Sequence, residues 1–175
     1  MVDKGLLSGA VFFDEIVPDD RNGRARVMSA SNELLKESEL VFFDPDNGIE
    51  IETCRPGHKQ SSKYLLWDEV AEQYKSGKSI LVYQHFRREQ RQAFIARMSE
   101  AFQRRTDCEA VVCFQTANVA FFLLIQQVHL ERLLRASSQV ARAWLGQIEV
   151  IIHPQLVYGL EQHAQRLPTI ARAEV

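Results

Sequence analysis

Asp44 and Asp46 stand two residues apart in Leu40-Val41-Phe42-Phe43-Asp44-Pro45-Asp46-Asn47-Gly48, directly behind a short apolar run. Two carboxylates so placed can bind Mg²⁺, with water and phosphate oxygens completing the octahedron. The bland alternative is a turn in which both cap backbone N–H groups while Asn47-Gly48 supplies positive φ. An EF-hand loop is excluded, because Asn47 and Gly48 each come one place early. His85 follows a second apolar run, Ser79 to Tyr83. An imidazole there is a candidate general base, metal ligand or hydrogen-bond donor, or a half-buried ring satisfied by a carbonyl. Lys63 lies between the two segments, and Arg87, Arg88 and Arg91 follow His85. These cations suit phosphates or an acidic partner, and equally the solvated face of a helix. Residues 85–105 hold six arginines against Glu89 and Glu100, a local excess that favours an anionic partner near the start of that stretch.

The elements that must position these groups follow from the apolar pattern. Leu40 to Phe43 has no polar alternation, the habit of a strand covered on both faces in a parallel sheet. In open α/β sheets ligands bind beyond the carboxyl ends of the strands, so Asp44, Asp46, Asn47 and His85 are expected in one crevice. Residues 10–17 read as an earlier strand, and their Val11-Phe12-Phe13-Asp14 is repeated at Val41-Phe42-Phe43-Asp44. Two similar buried strands explain four shared residues better than an internal repeat.

Between them, Pro18 to Gly23 is turn chemistry, and Ser29 or Ser31 offers an N-cap to a short helix with Leu34 and Leu35 inward. Residues 52–62 are polar, are broken by Pro56-Gly57 and read as a long, mobile loop. From Ser62 to Ser76 the pattern is helical: Trp67, Val70, Ala71 and Tyr74 share one face, and Asp68, Glu69 and Glu72 take the solvated one. A long helix follows His85 with Phe94, Ile95, Met98, Ala101 and Phe102 as its stripe, opened by Arg87, Arg88 and Arg91. Glu109–Gln115 and Val119–Gln126 form a hairpin across Thr116-Ala117-Asn118 and are therefore antiparallel. Leu130, Leu133, Leu134, Ala141, Trp144 and Leu145 mark a helix ended by Gly146, and Gln147 to Ile152 a last strand. A helix around 157–166 is the reading for the tail. The expected fold is one α/β domain over residues 1–175, three-layer and Rossmann-like, its mostly parallel sheet carrying an antiparallel hairpin near the C-terminus.

The totals are those of an ordinary globular chain: 175 residues, 46% hydrophobic, 25% charged. A net charge of -2 speaks against a nucleic-acid binder basic over its whole surface, though not against a local patch. Cys54, Cys108 and Cys113 show no paired spacing and read as structural, Cys113 within an apolar strand. An odd cysteine count without a secretory signal suits the cytoplasm. No apolar run approaches the ~20 residues that a membrane span needs. No GxGxxG, P-loop, HExxH or GxSxG motif is present. Glu50-Ile51-Glu52 lacks the lysine of a D…ExK nuclease pattern.

Gly9 to Glu15, Leu40 to Ile49 with its DPDNG core, Ser62-Lys63-Tyr64, Trp67-Asp68-Glu69 and Tyr83 to Phe86 together resemble a family of uncharacterised bacterial proteins sharing those words. The resemblance covers roughly residues 9–90 and implies an additional N-terminal segment in the family's usual domain. More remotely, the order from Asp44 onward is similar to the second half of Rossmann-like methyltransferases, where a strand ends in D/N-P-P-Y/F and the sheet closes with an antiparallel strand. In amino-methylating members the acid or amide and the proline carbonyl hold the target NH₂, and the aromatic stacks on the base. Asp44-Pro45 matches the first two places. Asp46 and Asn47 replace the second proline and the aromatic, and the glycine-rich S-adenosylmethionine loop has no counterpart.

The reading that follows is a methyltransferase-like protein, with Asp44 and His85 catalytic and Asn47, Lys63, Arg87 and Arg88 holding a phosphate-bearing ligand, a nucleotide or nucleic acid. The cofactor is left open between S-adenosylmethionine and Mg²⁺. A Mg²⁺-dependent phosphoesterase or nuclease on Asp44 and Asp46, and a non-enzymatic binding or assembly module, are the alternatives.

Overall fold

A computed structural model describes residues 9–153. It builds an α/β fold around one open five-stranded sheet in the order β1-β2-β4-β3-β5. The strands are β1 (Leu40–Phe43), β2 (Ser79–His85), β3 (Ala110–Gln115), β4 (Val119–Ile125) and β5 (Glu149–Ile152), and the helices are α1 (Arg21–Leu34), α2 (Trp67–Lys75), α3 (Arg91–Thr106) and α4 (Leu130–Ala143). The helix expected around 157–166 lies outside the described residues.

Only β1 and β2 run parallel, with Phe43 opposite Val82. β4 lies antiparallel to both β2 and β3, and β5 antiparallel to β3. The mostly parallel, Rossmann-like sheet is therefore corrected to a mixed one. The reason is local: the connection 116–118 is too short for a crossover, so β4 must return antiparallel to β3. It inserts between β2 and β3, at the middle of the sheet rather than at an edge.

Alternation divides the sheet's two faces. Val41, Ile80, Val82, Val111, Cys113, Phe122 and Leu124 pack with Val70 and Tyr74 of α2 and with Phe94, Met98 and Phe102 of α3. Ala110, Val112, Leu123 and Ile125 meet Leu130, Leu133 and Leu134 of α4. Trp144 and Leu145, expected within the helix that ends at Gly146, lie exposed beyond the end of α4.

The N-terminal half departs most from expectation. Residues 10–17 form no strand. The Pro18–Gly23 turn is the start of α1: Asp20 caps it, accepting from the Gly23 N–H at 2.7 Å, so neither Ser29 nor Ser31 is the cap. Of the two leucines expected inward, Leu34 is exposed and only Leu35 packs on the core. The loop 52–62 is pinned rather than free. Asp19 accepts from the Gln60 and Ser62 N–H groups at 2.9 and 2.8 Å, and the Gly57 N–H donates to the Asp19 carbonyl. Its end winds into a 3-10 turn, Ser61–Lys63, and α2 begins only at Trp67. Gly77 ends the α2 region at φ +88, a left-handed position that suits glycine. No helix among the described residues is long and apolar enough to cross a membrane.

Candidate functional site

The DPDNG loop leaves β1 at Phe43 and is fastened on two sides. The Gly48 N–H donates to the Pro45 carbonyl at 3.3 Å, closing the turn. The Asn47 N–H donates to the Lys63 carbonyl at 2.9 Å, and the Leu65 N–H to the Gly48 carbonyl at 3.0 Å. Ile49 and Leu65 form a parallel bridge. The second fastening comes from β2. Gln84, 2% exposed, accepts the Ile49 N–H on Oε1 at 2.8 Å and donates from Nε2 to the His85 carbonyl at 2.9 Å. Gly48 sits at φ +79, and a Cβ there would lie 2.4 Å from the Gln84 carboxamide. One buried amide thus clips the end of β1 to the end of β2.

What the clip holds outward is polar and free. Asp44, Asp46, Asn47 and Lys63 are exposed, and their side chains have no hydrogen-bond or ion-pair partner among the described residues. Arg87 and Arg88, in the loop after β2, are likewise exposed and unpaired. They do not open α3, which starts at Arg91 under a Gln90 cap. Arg91 is spent on structure: its guanidinium donates to the Ala117 carbonyl and lies 5.2 Å from the Phe86 ring centre. Arg97 pairs with Glu89 at 2.6 Å.

His85 ends β2, exposed, with Nε2 3.2 Å from the Tyr83 hydroxyl and the two rings edge-on at 4.9 Å. It alternates with Gln84, so the two side chains leave opposite faces of the sheet. Asp44 and His85 do share one sheet end, because their strands are parallel and in register.

Glu50, which lay close enough in sequence to assist a metal, instead caps α2 by accepting the Trp67 N–H at 2.7 Å. Among the described residues no three His, Cys, Asp or Glu converge on a metal position. A Mg²⁺ would therefore rest on Asp44 and Asp46 with ligand oxygens and water alone. Among the described residues this loop forms no glycine-rich cradle for S-adenosylmethionine: Gly48 is its glycine, and Gln84 fills the space beside it.

Four supporting side chains have roles that escaped the sequence reading. Arg24, 4% exposed, grips Glu69 through two contacts of 2.6 and 2.8 Å and also donates to the Ser61 and Tyr64 carbonyls. Glu69 was expected to be solvated, yet it is buried and accepts the Leu66 N–H as well. Asp19 anchors the loop leading to Lys63, and the N–H groups it accepts from hold its carboxyl down at about 2. Gln84 alone carried a readable signal, an amide at the inward-facing position between Tyr83 and His85. Two open depressions on the described surface lie elsewhere, one at the end of α3 beside His153, the other between α1 and the end of α2.

No protein family, curated protein or solved structure matches the chain.

Proposed function

We propose that this sheet end binds a phosphate-bearing ligand of the nucleotide or nucleic-acid class. The observation that carries the reading is the contrast between backbone and side chains. The loop's backbone is tied to the Lys63 carbonyl and to Gln84, while Asp44, Asp46, Asn47, Lys63, Arg87 and Arg88 are exposed and unpaired among the described residues. Exposed charges often stand alone, but here six polar side chains of both signs gather at one sheet end around a loop whose backbone is fixed, and that suits a ligand that carries both. Arg87, Arg88 and Lys63 supply donors for phosphate oxygens. Asp44 accepts from an exocyclic amine, Asn47 both donates and accepts, and His85 donates.

The methyltransferase-like reading applies to the same loop and rests on Asp44-Pro45 and on a parallel pair closed by antiparallel strands. The Pro45 carbonyl, which that resemblance would turn to the target amine, is engaged by the Gly48 N–H. Ligand binding is therefore the function the residues support best, with methyl transfer second.

Fluorescence anisotropy with labelled nucleotides and short oligonucleotides tests the reading, with and without Mg²⁺. Saturable binding that weakens in Asp44→Asn and in Arg87→Ala/Arg88→Ala is the expected result. Binding indifferent to all three substitutions would remove this site. Calorimetry with S-adenosylmethionine decides the second reading, since silence counts against a methyl donor.

A further inference from the structure

β1 is an edge strand that nothing among the described residues covers, and it is unusual in what it presents. Its four residues, Leu-Val-Phe-Phe, include no charge or proline, so shortness is the one device that blunts this edge. Ser79 donates to the Glu39 carbonyl. In a parallel pair the residue that bonds alternates, so Glu39, Val41 and Phe43 face β2. The N–H and C=O groups of Leu40 and Phe42 therefore point away from the sheet. The side chains of the same two residues are 42% and 51% exposed. Phe42 continues an aromatic strip across the face that α4 leaves open: its ring is 6.3 Å from Phe121, which is 5.4 Å from Tyr83.

We propose that this edge is the interface with a second copy of the chain, pairing antiparallel about Val41. The argument is self-complementarity, which a two-fold interface requires. With Val41 opposite Val41 of the second copy, Leu40 stands opposite Phe42 twice. Those are the two residues whose backbone groups face outward, so all four groups in each copy gain partners. Cross-strand neighbours share a face, so the exposed Leu40 side chain lies on the exposed Phe42 of the other copy. In the same register Phe43 meets Glu39, and Asp44 meets Ser38, so no like charges oppose one another.

The other edge, β5, also shows an exposed residue, Ile152, but it carries Glu149 and continues into further chain. Pairing at β1 makes one sheet across both copies and sets the two Asp44 loops at opposite ends of the interface. The proposal stands apart from the ligand reading.

Sedimentation of the full chain across a wide concentration range tests it, alongside hydrogen exchange of the Leu40 and Phe42 amides. The wild type should dimerise reversibly, with both amides protected as the dimer forms. Leu40→Lys and Phe42→Lys, at half-exposed positions, should keep the wild-type circular dichroism and weaken dimerisation by about tenfold or more. Ile152→Lys should leave the dimer intact. A monomer at every concentration overturns the proposal, including one whose β1 amides are protected by the chain's own terminal segments. So does a dimer that survives both lysine substitutions.

Discussion

Gln84 accepts the Ile49 N–H at 2.8 Å while standing where a Cβ on Gly48 would be, so one side chain fixes both the position and the sequence of the loop beside it. Ile49 is 2% exposed, and its N–H has no water to turn to if the carboxamide goes. Gln84→Leu should therefore cost about 1–3 kcal/mol in urea unfolding, the penalty of an orphaned buried donor. Gly48→Ala combines a φ of +79 with a 2.4 Å clash and should cost more than about 1 kcal/mol. Both should also abolish ligand binding at temperatures where the chain remains folded. Equal binding by a folded Gln84→Leu protein would detach the site from this clip.

Arg24 and Glu69 tie α1 to the start of α2 through a buried two-contact pair, and Arg24 carries two loop carbonyls besides. Removing one partner strands the other. Arg24→Met should destabilise the chain by about 3–5 kcal/mol in chemical denaturation. The double variant Arg24→Met/Glu69→Leu should recover part of that loss, and only part, because Glu69 also accepts the Leu66 N–H. Full additivity of the two single substitutions would show that the pair is not coupled.

What could be read in the sequence was what neighbours in the chain decide. The strands at Leu40, Ser79, Ala110, Val119 and Glu149 were all foreseen, as were the 116–118 hairpin and the Phe94-Ile95-Met98-Phe102 stripe. Each rests on local periodicity or a short connection. Placing Asp44 and His85 at one sheet end also held, because β1 and β2 pair in parallel. The failures lie where a distant partner overrides local preference. Residues 10–17 have a strand's composition and no ladder to join. A glutamate on the polar side of α2 looks solvated until Arg24, 45 positions earlier, buries it. The loop 52–62 looks mobile until Asp19, some 40 residues away, accepts from its backbone.

That anchor should be visible in acid. Asp19 titrates near 2 in the folded chain, against 3.8 when unconstrained, because the Ser62 and Gln60 N–H groups favour its carboxylate. A depressed acid contributes stability that is complete above its unfolded value and is lost as pH falls through the folded one. The loop should therefore stay anchored down to about pH 4 and release between about 4 and 2. Proton NMR of the Gln60 and Ser62 amides should report that midpoint. Asp19→Asn should remove the transition and speed exchange of both amides at neutral pH; an unchanged transition would assign it to another carboxylate.

Burial raises the Cys108 and Cys113 thiols to about 11 and about 12. At pH 8 the thiolate fraction is about one in a thousand for the first and smaller for the second. All three cysteines are free and buried. In the native protein Cys108 and Cys113 should resist a thiol-reactive chromophore and become available at the rate of unfolding, so urea should accelerate labelling. Rapid labelling of either under native conditions would contradict the packing of α3 against β3.

Arg87 and Arg88 make the most direct test of the ligand's chemistry, since neither guanidinium has a partner to lose among the described residues. If they meet phosphates, each alanine substitution should weaken oligonucleotide binding in every sequence alike. Each should also reduce the slope of log affinity against log salt by about one, because one fewer counterion is displaced per lost contact. Arg97→Ala offers the control, as that arginine is held by Glu89 and should leave the slope unchanged. A mononucleotide with a single phosphate would instead show a shallow slope that one of the two substitutions abolishes. Salt slopes equal to wild type in both variants would mean that the two charges only solvate the turn before α3, and the phosphate reading would lose its donors.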